Sequence, residues 1–112
     1  MGRKATKNDS LPGSLDMLIL KTLLKEKLHG YAIVQAIQQT SGDEILIEEG
    51  SLYPALQRLE LNGWIDGEWG VTANNRRGRI YKISAAGRKQ LAQEMKKYKR
   101  LTLAISRVMG TD

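Results

Sequence analysis

Apolar and polar residues recur along this chain with helical spacing in four segments and with strand spacing in two. The most clearly bounded segment is 50–64. Its apolar positions fall at i, i+3, i+4 and i+7 and form one face of a predicted helix: Leu52, Ala55, Leu56 and Leu59. Ser51 is predicted to cap the start of this helix, and Pro54 must then lie in its first turn, where no backbone bond is lost. Asn62-Gly63 supplies residues that tolerate a left-handed C-terminal cap.

The opposite face of this helix carries polar side chains, namely Tyr53, Gln57, Arg58 and Glu60. Two interpretations follow: a surface helix with ordinary polar decoration, or a recognition helix whose polar face enters the major groove of DNA. The helix alone favours the first interpretation, because short motif matches often mislead. The neighbouring segments change that balance.

Two further helices are predicted ahead of this one. The first is capped by Ser14, has Asp16 suited to its positive end, and carries an apolar arc wide enough to require burial on two sides. Residues 27–30 break it, the second helix starts at Tyr31, and the isoleucine-rich segment 44–48 is predicted as a brief strand or an extended link. Two helices followed by a third across short turns are typical of a helix-turn-helix.

Segments 64–69 and 79–84 are predicted to be the paired strands of a hairpin. Segment 70–78 between them is long for a hairpin loop and rich in Gly, Asn and Arg. It is either a solvated loop or a wing whose flexible tip lays Arg76 and Arg77 along a phosphate strand or into a minor groove. Because it directly follows a predicted recognition helix, we favour the wing.

A long helix is predicted from Ser84 to about Met109, where Gly110 ends it. It spans about 38 Å at 1.5 Å per residue, which is too long for so small a domain to cover. Its apolar residues recur at spacings of four and three, the pattern of a seam against another helix. We expect a homodimer in which this helix meets the first helix of the partner; folding back onto its own domain is the alternative. Binding of this helix to a membrane surface is less favoured, because its apolar face lacks Trp and Phe anchors. The predicted dimer residues are Leu15, Leu18, Leu91, Met95, Tyr98, Leu101, Ile105 and Val108.

Composition narrows the function classes. The chain has 112 residues, a net charge of +6 and a pI near 9.7, which indicates one domain and favours a polyanionic partner, although small basic domains without one are common. It has no cysteine, no apolar run near the ~20 residues of a membrane span, and no metal-ligand cluster around His29, its only histidine. His29 is interpreted as a turn residue or the maker of a local bond. No nucleophile stands with a base. We therefore predict a cytoplasmic protein that is not an enzyme, with no catalytic site, metal site or cofactor.

The predicted fold is mainly α with a small β-hairpin, a winged helix-turn-helix plus a long C-terminal helix. Residues 1–13 are expected to be a flexible basic arm, either without a role or touching phosphates. Residues 14–84 are expected to form the DNA-binding domain, 85–109 the dimerisation helix and 110–112 a tail.

This arrangement resembles the short-tailed subfamily of the PadR transcription regulators. The resemblance covers roughly residues 14 to 100. Its main motif is segment 52–60, which reads LYPALQRLE and is close to the family's L-Y-P-x-L-x-R-L-E. The other matching residues are His29-Gly30-Tyr31, Gly63, Ile65, Arg76-Arg77, Tyr81, Lys82 and the Ser84–Gly87 start of the last helix, which is similar to T-x-x-G.

The resemblance implies a homodimeric repressor on a pseudo-palindromic site of double-stranded DNA, with a small-molecule effector as a further expectation. The alternative is a winged-helix module that binds protein or RNA without operator specificity. The implied DNA-binding residues are Ser51, Tyr53, Gln57 and Arg58 on the recognition helix and Arg76, Arg77 and Arg79 on the wing. Tyr98 matches the position of a ligand-binding aromatic in drug-sensing relatives, but a tyrosine there also suits ordinary interface packing, which we favour. Whether Arg58 bonds a guanine or a phosphate stays open.

Overall fold

The computed structural model describes residues 14–72 and 74–111, so the predicted arm 1–13 and the last residue of the predicted tail lie outside the described residues. The described chain is mostly helical with one small antiparallel sheet, which confirms the predicted fold class. The elements in chain order are α1 Leu15–Lys25, β1 Leu28–His29, α2 Gly30–Thr40, α3 Glu49–Leu61, β2 Ile65–Val71, β3 Arg77–Ile83 and α4 Ala85–Met109.

The sheet has the strand order β1-β3-β2 and is antiparallel throughout. The β2–β3 ladder runs from Ile65 opposite Ile83 out to Val71 opposite Arg77. The predicted loop 70–78 is therefore too long, because both of its ends belong to the paired strands and only 72–76 connect them. The composition misled the prediction, since Gly and Arg are typical of loops but are paired here.

β1 is an element that the sequence analysis did not predict. Leu28 pairs with Tyr81 and His29 with Ile80, so the break between α1 and α2 adds a two-residue strand to the edge of the hairpin. His29 also caps α2, because its Nδ1 accepts a hydrogen bond from the Ala32 N–H at 3.4 Å. The expected local bond of His29 is thus confirmed. Residues 46–48 form an extended link, preceded by an isolated bridge at Ile45.

The start of α3 differs from the prediction. The helix begins at Glu49 with Glu48 in the N-cap position, so the predicted cap by Ser51 is wrong. Ser51 lies inside the helix, where its N–H donates to the Glu48 carbonyl at 3.0 Å. Pro54 is consequently the sixth helical residue and lies beyond the first turn, which corrects that prediction as well. The carbonyl that it deprives of a donor belongs to Gly50, which is exposed, so water can replace the lost bond.

The start of α1 and the ends of α3 and α4 agree more closely with the prediction. Ser14 stands at the N-cap of α1, although its side chain makes no capping hydrogen bond there. Gly63 ends α3 with φ +75°, and the Trp64 N–H donates to the Leu59 carbonyl at 3.0 Å, as in a Schellman motif. Gly110 ends α4 in the same left-handed conformation.

One hydrophobic core joins all four helices to β2 and β3. α1 packs against α2, α3, α4 and β3, so it lies at the centre of the domain. Leu91 is the buried apolar residue that α4 contributes. The largest fully buried side chains are Ile19, Leu20, Ile33, Leu52, Leu56, Leu59 and Ile65.

The start of α4 is fastened to the turn that follows α3. The Ser84 hydroxyl donates to the Gly63 carbonyl at 2.6 Å and accepts from the Gly87 N–H at 3.0 Å. The Ser84 N–H donates to the Trp64 carbonyl at 3.0 Å. Past its first half α4 leaves the core, and its apolar side chains from Tyr98 onward are largely exposed. None of the helices in the described ranges is long and apolar enough to cross a membrane.

Candidate nucleic-acid interface

The face of α3 predicted to bind DNA is exposed in the structure. Gln57 and Arg58 are exposed, and Tyr53 is 48% exposed, whereas the apolar face of the same helix is buried. Ser51 is half-buried near the start of the helix. The spacing of apolar residues therefore separated the packed side of α3 from its free side correctly.

Tyr53 lies across the start of α2. A Cβ added to Gly30 would stand 3.2 Å from the Tyr53 ring and 3.3 Å from its hydroxyl oxygen, so the absence of a side chain at Gly30 leaves room for the tyrosine. Burial of the ring, followed by the charge of Glu49, raises the pKa of Tyr53. A tyrosine hydroxyl is already protonated at neutral pH, and the raised pKa keeps it so, which lets it donate a hydrogen bond to a phosphate.

The wing, defined here as residues 65–83, presents its arginines in three different ways. Arg76 is exposed in the connecting turn, which is held by a hydrogen bond from the Thr72 N–H to the Arg76 carbonyl at 2.8 Å. The guanidinium of Arg77 lies over the Trp69 ring, 5.3 Å from its centroid, while the residue stays exposed. Arg79 is the least exposed, because its guanidinium forms an ion pair with Glu60 of α3.

A cleft of about 250 Å³ separates the recognition helix from the wing. It is lined by His29, Gly30, Tyr31, Tyr53, Thr72, Gly78, Arg79 and Tyr81. Residues of the two predicted DNA-binding elements thus meet at one place: Tyr53 from α3 and Arg79 from β3. Arg58 lies away from this cleft, toward α1.

Arg58 is paired with an acidic residue that the sequence analysis assigned only to the end of a helix. Its Nη2 donates to Asp16 Oδ1 at 2.6 Å and its Nε to Asp16 Oδ2 at 3.4 Å. The hydrogen bond to Asp16 raises the pKa of Arg58. The Arg58 side chain is still 53% exposed, so the guanidinium remains accessible to a phosphate or a base.

The predicted dimer residues divide into two groups. Leu91 is buried in the core of its own chain, and Leu15, Leu18 and Met95 pack partly against that core. The second group is exposed on the free half of α4: Tyr98, Leu101, Ile105 and Val108, the last of them 87% exposed. Only the second group forms a free apolar stripe.

Four residues of this region were not singled out as site residues from the sequence: Asp16, Glu60, Gly67 and Trp69. Their roles depend on neighbours that are distant along the chain, 42 residues for Asp16 and Arg58 and 19 for Glu60 and Arg79. In the described part of the chain, no group of three or more His, Cys, Asp or Glu side chains is arranged to hold a metal ion.

Comparison with known proteins shows which family shares this sequence and fold. The sequence profile of the transcriptional regulator PadR-like family matches residues 19–93. A transcriptional regulator from Clostridium thermocellum superimposes with a TM-score of 0.81 at 29% identity, covering 88% of this chain and 96% of that one. A PadR family transcriptional regulator from Eggerthella lenta gives a TM-score of 0.77 at 27% identity and covers 93% and 88% of the two chains. The Lysinibacillus sphaericus protein named "Uncharacterized protein X" is 29% identical over 92 residues, covering 82% of this chain and 84% of that protein.

The profile begins within α1 and ends within α4, and it therefore includes the recognition helix, the wing and the ion pair between them. Its description and the names of the solved relatives are those of transcriptional regulators rather than enzymes. This chain belongs to the PadR-like family and is a DNA-binding transcription regulator.

Proposed function

We propose that this regulator is a homodimeric repressor that occupies a pseudo-palindromic promoter site in the bacterial cytoplasm. The observation that carries the proposal is the juxtaposition of an exposed polar helix face with an arginine-bearing wing, on a domain whose long helix leaves an apolar stripe uncovered. Bound protein would block polymerase, so repression needs no chemistry.

The recognition helix supplies the sequence-reading contacts in this proposal. Gln57 suits the edge of an adenine, and the Tyr53 hydroxyl suits a phosphate. Arg58 reaches either a guanine or a phosphate after leaving Asp16, and Ser51 lies at the end of the helix that meets the DNA backbone. Arg76 and Arg77 of the wing add phosphate contacts, which supply affinity more than specificity.

The exposed stripe on α4 supports the dimer. Residues 98, 101, 105 and 108 follow one another at spacings of three and four, so they lie along one side of the helix. Four apolar side chains in a row are an unfavourable surface for a protein that stays a monomer. A two-fold dimer would place two recognition helices in successive major grooves, about 34–36 Å apart.

A small-molecule inducer would relieve the proposed repression. It would act by preferring a state in which the two recognition helices are misaligned for their grooves. Tyr98 is half-exposed within the α4 stripe, which suits interface packing as well as a ligand contact, and we assign it to the interface.

Replacement of the reading side chains tests the proposal. The double variant Tyr53→Phe, Gln57→Ala removes one hydroxyl and one amide without disturbing the buried face of α3. Its affinity for the preferred duplex, relative to a scrambled duplex, should fall at least tenfold, since a good base contact contributes about 1–3 kcal/mol of discrimination. Gln93→Ala, at an exposed position of α4, is the matched control and should leave the ratio unchanged. An unchanged ratio in the double variant would remove α3 as the reading element.

A further inference from the structure

Besides the hydrophobic core that they share, the recognition helix and the wing are connected by an ion pair between described side chains. Arg79 Nη2 on β3 donates to Glu60 Oε2 in the last turn of α3, across 19 residues of sequence. The Arg79 side chain is only 30% exposed, although it carries a full charge on a strand that reaches into solvent. A side chain reserved for a phosphate would be expected to be well exposed, as Arg76 is in the connecting turn.

The surroundings of Arg79 hold its guanidinium in this place. It lies over two aromatic rings, 5.7 Å from the centroid of Trp69 and 5.9 Å from that of Tyr81. Gly67 faces Tyr81 in the strand register and leaves the space that the guanidinium fills. A Cβ at Gly67 would stand 2.5 Å from Arg79 Nη2 and 3.0 Å from the Tyr81 ring.

The protonated state of Arg79 is favoured by the same contacts. A hydrogen bond with Tyr81, and then the one with Glu60, raises the pKa of Arg79. The Arg77 guanidinium also lies over Trp69, but Arg77 stands on an exposed stretch of the strand and remains accessible. The wing therefore carries one arginine that is paired with α3, Arg79, and two that stay exposed, Arg76 and Arg77.

From this contrast we propose that Arg79 is a positioning residue, anchored by Glu60, which holds the wing at a fixed angle to the recognition helix and contacts no phosphate. The inference rests on the proposed DNA contacts of α3 and the wing and assigns Arg79 a different role from the one that the family resemblance implied. Two binding elements that are held in register before binding lose less conformational freedom on the DNA than two independent ones.

Replacement of Glu60 tests the proposal, because an anchoring role and simple charge repulsion predict opposite changes in DNA affinity. Near a phosphate backbone, removal of a carboxylate normally strengthens binding, because repulsion is lost and a paired arginine is released. If Glu60 anchors the wing, Glu60→Gln should instead weaken binding about threefold to tenfold. Arg79→Gln should weaken it similarly, and the double variant should bind no worse than the weaker single variant, since both changes remove one contact.

The salt dependence of binding separates positioning from contact. Each phosphate contact contributes about 0.9 to the slope of log affinity against log salt concentration. Arg77→Gln, the matched control on the same strand, should reduce that slope, whereas Arg79→Gln and Glu60→Gln should leave it unchanged. Gly67→Ala keeps every charge and displaces the guanidinium, so it should weaken binding with the slope intact.

The experiment measures fluorescence anisotropy of a labelled duplex at several salt concentrations, with the whole chain of 112 residues. The duplex carries the inverted repeat that the wild-type protein enriches from a random pool. Tighter binding by Glu60→Gln, or a slope reduced as strongly by Arg79→Gln as by Arg77→Gln, would overturn the positioning role while the proposed function stands. If the wild-type protein enriches no repeat, the proposed function fails first and the positioning role falls with it.

Discussion

Gly87 is predicted to be the position where a single added methyl group does most harm. A Cβ there would overlap the Trp64 carbonyl oxygen and stand 2.9 Å from its carbon and 2.8 Å from Ile83 Cγ1, where ordinary contacts are 3.4–4 Å. The obstacle is mainly backbone, so a side-chain rotation cannot relieve it. The turn after α3 and the start of α4 would have to separate, which strains the hydrogen bond from the Ser84 N–H to the Trp64 carbonyl.

The expected size of the effect follows from three contributions. Overpacking costs about 1–3 kcal/mol, a strained hydrogen bond costs about 1 kcal/mol, and the better helix propensity of alanine returns about 1 kcal/mol. Gly87→Ala should therefore lower the free energy of unfolding by about 2 kcal/mol, or the Tm by about 8 °C for a chain of this size.

Gly50→Ala makes the same substitution in a helix where nothing lies within 4 Å of the added atom. It should be neutral or stabilise by up to about 1 kcal/mol. Both variants are compared by thermal and denaturant unfolding at one protein concentration, because any dimer makes the Tm concentration-dependent. Equal stability of the two variants would refute the packing argument at Gly87.

Two further predictions concern the other exposed features. Asp16→Asn should strengthen binding of the preferred duplex up to about fivefold in an anisotropy titration. The reason is that Arg58 must leave an exposed ion pair with Asp16 to reach the DNA, and such a pair is worth about 0.2–1 kcal/mol. Weaker binding would show instead that Asp16 holds Arg58 in place for the DNA. Ile105→Lys should raise the dimer dissociation constant at least a hundredfold by light scattering, since two symmetry-related apolar side chains lose about 1.5–3 kcal/mol each. Leu103→Lys, a comparable change at an exposed position off the stripe, is its control and should remain dimeric.

The parts of the fold that were predicted correctly are those with local causes. The start of α4 at Ser84, its end at Gly110, the left-handed turn at Gly63 and the buried face of α3 each depend on residues within about one helical turn. β1 escaped prediction because two residues carry no periodicity, and their strand character comes from pairing with β3. The hairpin ladder was placed too short because Arg77 and Gly78 are typical loop residues that the register nevertheless pairs.

The sequence predicted which residues of the candidate site are exposed, but not which of them form ion pairs. Exposure of Tyr53, Gln57 and Arg58 followed from the helical face. The positions of the arginines in the sequence could not show that Arg58 and Arg79 are paired with carboxylates while Arg76 and Arg77 stay exposed. Those differences arise from tertiary contacts, and they separate arginines that composition treats alike.

The role as a sequence-specific dimeric regulator is tested most directly by selection of random DNA duplexes with the purified protein, followed by binding at two salt concentrations. We expect an enriched inverted repeat whose half-sites lie one helical turn apart, with an affinity that falls steeply as salt rises. Salt-sensitive binding without any enriched repeat would contradict operator recognition and would direct attention to protein or RNA partners.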